Sequence, residues 1–230
     1  MLVIGHRGSP GTSPENTLKS FEETVLSGAD ALELDVQICK TGELVVIHDM
    51  RVDRTTDGKG LVSQLTFSEL RGLDAGDKEK IPTLVEVLDL VDNRIEIHIE
   101  LKSAGTSEKT AALLDKYVKE GKYTFDNFVI SSFDHHELVN FRRFNKECRV
   151  AALMAHIPLN YADVIQTDKL DLWSLNLKID STNPEFVRSA HEKGYKFLVF
   201  TVNDLEDREI LRDMGVDGVI TNFPAKFACF

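Results

Sequence analysis

The chain has 230 residues, and 27 Lys and Arg against 38 Asp and Glu give a formal net charge of −11. That field repels phosphate backbones and argues against nucleic acid as the main partner, while 42% hydrophobic and 28% charged residues are proportions of a folded globular chain. The longest apolar run covers residues 150–155, far short of the ~20 that span a bilayer, and Gly5, His6 and Arg7 cut off the apolar opening before a secretory core of ~7 to 15 residues forms, so a cytoplasmic protein without a transmembrane segment is expected.

Short runs rich in Val, Ile, Leu and Phe predict strands over 2–5, 31–36, 44–48, 95–101, 127–133, 149–154, 172–177, 196–202 and 216–221. Segments of helical period predict helices over 17–27, 83–91, 107–120, 135–145, 161–167, 184–193 and 205–214. Asn183-Pro184 and Asn203-Asp204 read as helix starts, and Gly28, Gly121, Gly194 and Gly215 as stops. The third strand breaks the alternation, because the residues separating it from the second are too few for a crossover of a dozen or more. Lys40-Thr41-Gly42-Glu43 is turn-like, so a β-hairpin is expected there, with Asp35 and His48 roughly opposite one another.

Without that return arm, eight strand-and-helix units remain, which predicts a (β/α)8 TIM barrel with a β-hairpin extension and a small insertion after the second strand. A single domain over 1–230 is expected. The insertion, at about 49–81, is polar, carries one short helix over 68–73, and is expected to ride on the rim as a cap. A doubly wound open sheet is the alternative. Against it, Gly5-His6-Arg7-Gly8-Ser9-Pro10-Gly11 has no GxGxxG and puts charged side chains where a dinucleotide needs bare backbone. Cys39, Cys148 and Cys229 are widely spaced and odd in number, which suggests buried or half-buried thiols, with neither a disulfide framework nor a zinc site.

In such a barrel the reactive groups stand at the C-terminal ends of the strands. Glu33 and Asp35 lie two residues apart and share one face of their strand, as do Glu100 and Lys102. Converging carboxylates repel and need a cation between them. Glu33, Asp35 and Glu100 offer hard oxygens and no thiolate, which suits Mg²⁺ or Ca²⁺; the alternative is an ion-pair network with Arg7 and Lys102. His6 and His48 come from different strand ends and suit a proton donor and acceptor flanking a reacting phosphate. Arg7 and Lys102 supply the charge that an anionic phosphate needs. Of the remaining histidines, His98 shares the side-chain parity of Glu100, and a core or surface placement is expected for it.

Several short motifs occur in order along almost the whole chain: His6-Arg7-Gly8, Pro14-Glu15-Asn16-Thr17, Glu33-Leu34-Asp35-Val36, Val46-Ile47-His48-Asp49, Arg54-Thr55-Thr56, Pro82-Thr83-Leu84, Ile99-Glu100-Leu101-Lys102, Ser131-Ser132-Phe133 and Gly215-Val216-Asp217-Gly218. In these the chain resembles the glycerophosphodiester phosphodiesterases, metal-dependent (β/α)8-barrel hydrolases. The resemblance implies hydrolysis of a small-molecule glycerophosphodiester to sn-glycerol 3-phosphate and an alcohol. It makes His6 and His48 the acid/base pair, Glu33, Asp35 and Glu100 the ligands of a divalent cation, and Arg7 and Lys102 the phosphate contacts. Glu15 and Asn16 become candidates at the substrate site, although Asn16 also reads as a helix cap. Phe200 stands where the family often has Trp, at the packing surface for the glycerol or leaving group, and Asn222 where it often has Asp. A phosphoinositide-cleaving or phospholipase-D-like lyase, which stops at a cyclic product, is the nearest alternative; a barrel that binds phosphate compounds without turnover is the other.

Overall fold

The computed structural model describes residues 1–165 and 170–229. The strands are β1 (Leu2–Gly5), β2 (Ala31–Ile38), β3 (Leu44–Val46), β4 (Glu96–Leu101), β5 (Phe128–Ser132), β6 (Arg149–Met154), β7 (Ser174–Lys178), β8 (Lys196–Phe200) and β9 (Gly218–Thr221). The helices are α1 (Leu18–Leu26), α2 (Phe67–Gly72), α3 (Leu84–Val91), α4 (Thr106–Lys119), α5 (His135–Phe144), α6 (Pro184–Glu192), α7 (Leu205–Asp213) and α8 (Pro224–Ala228). The sheet runs β1-β9-β8-β7-β6-β5-β4-β2, and a parallel β1–β2 pairing closes it. The expected TIM barrel is therefore present, and that closure excludes the open doubly wound sheet.

Side-chain parity sorts the strands into two faces. Leu32, Leu34 and Val36 of β2 and Ile97, Ile99 and Leu101 of β4 point outward into a core shared with Phe21, Leu88, Leu114 and Phe141 of the surrounding helices. Each such apolar side chain contributes roughly 1.5–3 kcal/mol on burial. The alternate residues point into the barrel, where Ile4, Ala31, Leu198 and Ile220 form a small apolar plug. On the same parity, Glu33 and Asp35 are left at the upper, C-terminal level of the barrel lumen. The helix starts follow side-chain chemistry: the Asn183 Oδ1 accepts from Phe186 N at 2.8 Å, and Thr83 and Glu86 form a reciprocal capping box.

β2 outlasts its neighbours, and its last residues pair antiparallel with β3 in the register Val36↔Val46, Gln37↔Val45 and Ile38↔Leu44. Asp35 therefore opposes Ile47 rather than His48, and the Ile47 N–H donates to the Asp35 carbonyl at 3.0 Å. The expected register slips by one because the loop closes from Cys39 to Glu43 around Thr41, with Gly42 at a φ of 98° that favours glycine. Past β3 the chain is clamped by the buried Gln37, whose Nε2 is shared among the carbonyls of Ile47, His48 and Asp49. The insertion then packs Val52, Val62 and Leu70 against Val45 and Ile47 of the return arm, forming a small core of its own.

Other differences are local. The segment expected to be helical over 161–167 is a single 3₁₀ turn, Tyr161–Val164, the geometry common in short connectors, and residues 166 and 167 lie outside the described residues. Helix α8 escaped the periodicity reading because five residues cannot display a period. Cys39 and Cys148 are buried as expected, whereas Cys229, beyond the last helix, is exposed. No helix among the described residues is long and apolar enough to cross a membrane.

Candidate active site

β1 ends at Gly5, so His6 enters the barrel mouth on the inward parity of Ile4. The chain then turns so tightly that a Cβ at Gly8, whose φ is 89°, would lie 2.3 Å from the Ser20 hydroxyl. This turn lets the Arg7 backbone N–H donate to Glu33 Oε2 at 2.9 Å while its guanidinium Nε stands 3.4 Å from Asp35 Oδ2. Asn16 does not cap α1; Thr17 does. Its side chain instead donates to Asp35 Oδ2 at 2.8 Å.

Asp35 and Glu100 are partners in the β2–β4 register, and Glu33 lies one inward step below. All three are buried, and one oxygen from each lies within 4.8 Å of the other two. Lys102 Nζ donates to Glu100 Oε1 at 2.8 Å and stands 3.8 Å from Asp35 Oδ1. The expected ion pairs with Arg7 and Lys102 thus form, but three acids still face two bases. Burial, followed by the charges of Asp35 and Glu100, raises the Glu33 carboxyl well above its ordinary range. Burial and Asp35 likewise raise Glu100 to about 7. Asp35 Oδ1 is buried without any hydrogen-bond donor. A donor-starved buried oxygen amid converging carboxylates is what a hard divalent cation would satisfy, so the residues fit Mg²⁺ or Ca²⁺.

The two histidines have unlike supports. His6 Nδ1 lies 2.7 Å from Asn222 Oδ1, a carboxamide oxygen that only accepts, so the ring proton sits on Nδ1 and Nε2 keeps its lone pair. Burial and then Arg7 lower the His6 pKa to about 4. Asn222 is itself held by its backbone N–H, which donates to Asn203 Oδ1 at 3.0 Å. His48 Nδ1 instead lies 2.6 Å from the Asp49 carboxylate. Arg54, from the insertion, donates Nε to Asp49 Oδ2 at 2.6 Å and binds Glu15 through Nη1 and Nη2, each at 2.8 Å. Glu15 Oε1 also accepts from Arg7 Nη1 at 3.0 Å. Burial pushes the Glu15 carboxyl up, but Arg54 and Arg7 outweigh it and hold its pKa at about 2. The Arg54 hydrogen bonds hold Asp49 well below the usual carboxylate range.

His6, Arg7, Glu33, His48 and Glu100 line one half of a cavity of about 340 Å³ at the barrel mouth. The other half carries Phe133 after β5, Leu153 of β6, Ile179 after β7 and Phe200 at the end of β8, with the polar Ser131, Asn176, Lys178 and Thr201 among them. Phe133 and Phe200 meet edge to face with centroids 5.9 Å apart, and Lys102 Nζ stands 5.9 Å from the Phe133 ring. Arg7 thus faces the cavity directly, Lys102 from its edge, while Glu15 and Asn16 reach it through Arg7 and Asp35. His98 lines the floor, 1% exposed, with neither ring nitrogen hydrogen-bonded, packed edge to face on Trp173. It lies outside the acidic cluster and has the core placement expected for it. Gln37, Asp49, Arg54 and Asn222 complete the supports of the site without having been assigned a role in the sequence; the His48-Asp49 pair, the Arg54 motif and the departure at Asn222 carried the signal.

The profile of the glycerophosphoryl diester phosphodiesterase family matches residues 6–226. The chain belongs to that family. Within it, a glycerophosphodiester phosphodiesterase of Caldanaerobacter subterraneus subsp. tengcongensis is 37% identical over 246 aligned positions, covering 97% of this chain and 94% of the relative. A Bacillus altitudinis glycerophosphodiester phosphodiesterase is 36% identical, over 96% of this chain and 94% of its own. Among solved structures, an Oleispira antarctica phosphodiesterase in complex with the product sn-glycerol-3-phosphate superposes with a TM-score of 0.90 at 31% identity, covering 100% of this chain and 96% of that one. The Thermotoga maritima glycerophosphodiester phosphodiesterase gives 0.80 at 31% identity, over 100% and 97%. The resemblance drawn from the short motifs and the barrel they implied both hold.

Proposed function

We propose that this family member hydrolyses glycerophosphodiesters to sn-glycerol 3-phosphate and an alcohol, using His6 and His48 as its acid/base pair and a divalent cation, Mg²⁺ or Ca²⁺, held by Glu33, Asp35 and Glu100. The observation that carries this reading is the meeting of both histidines with two of those acids, Glu33 and Glu100, on one cavity, in a chain of this family. The product bound to the Oleispira antarctica relative supports the choice of sn-glycerol 3-phosphate. When bound, the cation supplies Lewis-acid stabilisation of charge on the phosphate.

The unlike supports of the histidines divide the proton work. His6, neutral and with a free Nε2, takes the proton from the attacking hydroxyl, whether the glycerol 2-hydroxyl or water. His48, whose Nδ1 lies against the Asp49 carboxylate, gives its proton to the departing alcohol oxygen as the phosphorus–oxygen bond breaks. Arg7 and Lys102 stabilise charge on the remaining phosphate oxygens. Glu15 and Asn16 serve the substrate by holding Arg7 and Asp35. Phe200, with Phe133 and Leu153, packs against the alcohol or glycerol portion. A single barrel domain over 1–230, with its insertion at about 49–81, and a cytoplasmic location belong to the same proposal.

The test is turnover of glycerophosphocholine by the purified protein in chelator and after return of Mg²⁺ or Ca²⁺, with phosphorus NMR of the product. Activity that depends on the cation and yields a monoester is expected, and His6→Ala and His48→Ala should each lose ~10²- to 10⁴-fold. Near-wild-type turnover in both variants rejects the acid/base pair, and accumulation of a cyclic diester moves the chain to the lyases.

A further inference from the structure

The insertion reaches back to the site through one side chain. Arg54 closes a 3₁₀ turn, Val52–Arg54, that is anchored by the fully buried Val52. Its guanidinium spends its donors on two carboxylates from different parts of the barrel mouth: Nε and Nη2 on Asp49, at 2.6 and 3.1 Å, and Nη1 and Nη2 on Glu15, each at 2.8 Å. Asp49 carries His48 on its other side, at 2.6 Å, and Glu15 carries Arg7, at 3.0 Å. The chain of contacts His48–Asp49–Arg54–Glu15–Arg7 is therefore continuous, and Arg54 is its midpoint.

We propose that Arg54 is a positioning residue that fixes His48 and Arg7 relative to each other, by clamping Asp49 and Glu15 on one rigid guanidinium plane. The proposal rests on the reading of His48 as a catalytic acid. The geometry calls for arginine in particular. A planar fork binds two carboxylates bidentately and fixes their mutual orientation, whereas a lysine ammonium on a flexible stem supplies only a point charge. Without the clamp, Asp49 and Glu15 are left as two neighbouring anions with one partner each, free to swing away from each other and to carry His48 and Arg7 with them.

The experiment compares Arg54→Gln and Arg54→Lys, alone and combined with Asp49→Asn, by kcat and KM on glycerophosphocholine in saturating cation, with thermal unfolding of each variant and His48→Ala alongside. Arg54→Gln should lower kcat on the order of 10- to 100-fold, the range found when groups that orient functional ligands are removed. Arg54→Lys should recover the melting temperature but not kcat. In the Asp49→Asn background, Arg54→Gln should cost little further kcat, because both changes break one path. A role confined to holding the fold lowers the melting temperature while leaving kcat of the folded fraction unchanged, and that result overturns the proposal, as do additive losses in the double variant. Retained turnover in His48→Ala removes the acid/base reading instead, and is read separately from the Arg54 variants.

Discussion

Replacing Glu100 by Gln should make the cation-free protein more stable while ending its turnover. Glu100 is buried, and burial together with Asp35 raises its pKa from 4.5 to about 7. At pH below 4.5 the carboxyl is protonated in the folded and unfolded chain alike, and nothing is lost. Between pH 4.5 and 7 the unfolded chain ionises freely while the folded chain holds its proton, so folding stability declines across that window and levels off above it. The interval corresponds to on the order of 3 kcal/mol, or roughly 6–12 °C of melting temperature for a chain of this length. In chelator, the difference in melting temperature between Glu100→Gln and wild type should be small at pH 4.5 and reach that size, in favour of the variant, by pH 8. Mg²⁺ or Ca²⁺ should raise the wild type at pH 8 and leave the variant unmoved. Differential scanning calorimetry across pH, with and without cation, reads all of this. A variant that melts below wild type at pH 8 in chelator, or a wild type indifferent to both cations, would refute the argument that the acids are held together against their own repulsion.

Two further outcomes follow from single contacts. Asn222→Asp places a carboxylate against His6 Nδ1 in place of the carboxamide oxygen at 2.7 Å; it stabilises the imidazolium, so the acid limb of the kcat/KM profile should move upward from about pH 4, and an unmoved limb excludes His6 as the base. Thr83→Ala removes the hydroxyl half of the capping box at the start of α3; about 1 kcal/mol of stability should be lost in denaturant titration with kcat unchanged.

What the sequence disclosed follows the reach of its signals. Alternation of period two placed Glu33 with Asp35 and Glu100 with Lys102 on shared faces, and the barrel brought both pairs to one level. Glycines at 28, 121, 194 and 215 marked helix ends because all four adopt positive φ there. The hairpin was legible, its register was not: a choice between loop centres half a residue apart depends on which backbone amide closes the turn, and that choice moved the partner of Asp35 from His48 to Ile47. Arg54 was invisible as a support, since its contact with Glu15 crosses 39 residues between two irregular segments that carry no period. His98 shared the parity of the acids, yet its surroundings come from Trp173 on a distant strand connection.

The division of the barrel mouth into a half from β1 to β4 that holds the histidines and acids and a half from β5 to β8 that holds Phe133, Leu153, Ile179 and Phe200 has an evolutionary corollary. On the proposed reading, the loops that would surround the alcohol are carried by strands that contribute neither of the paired histidines nor an acid of the cluster, so drift in residues such as Phe133 or Ile179 would exchange one leaving group for another at little risk to bond cleavage. The scaffold thereby separates inheritance of the reaction from adaptation to its diet.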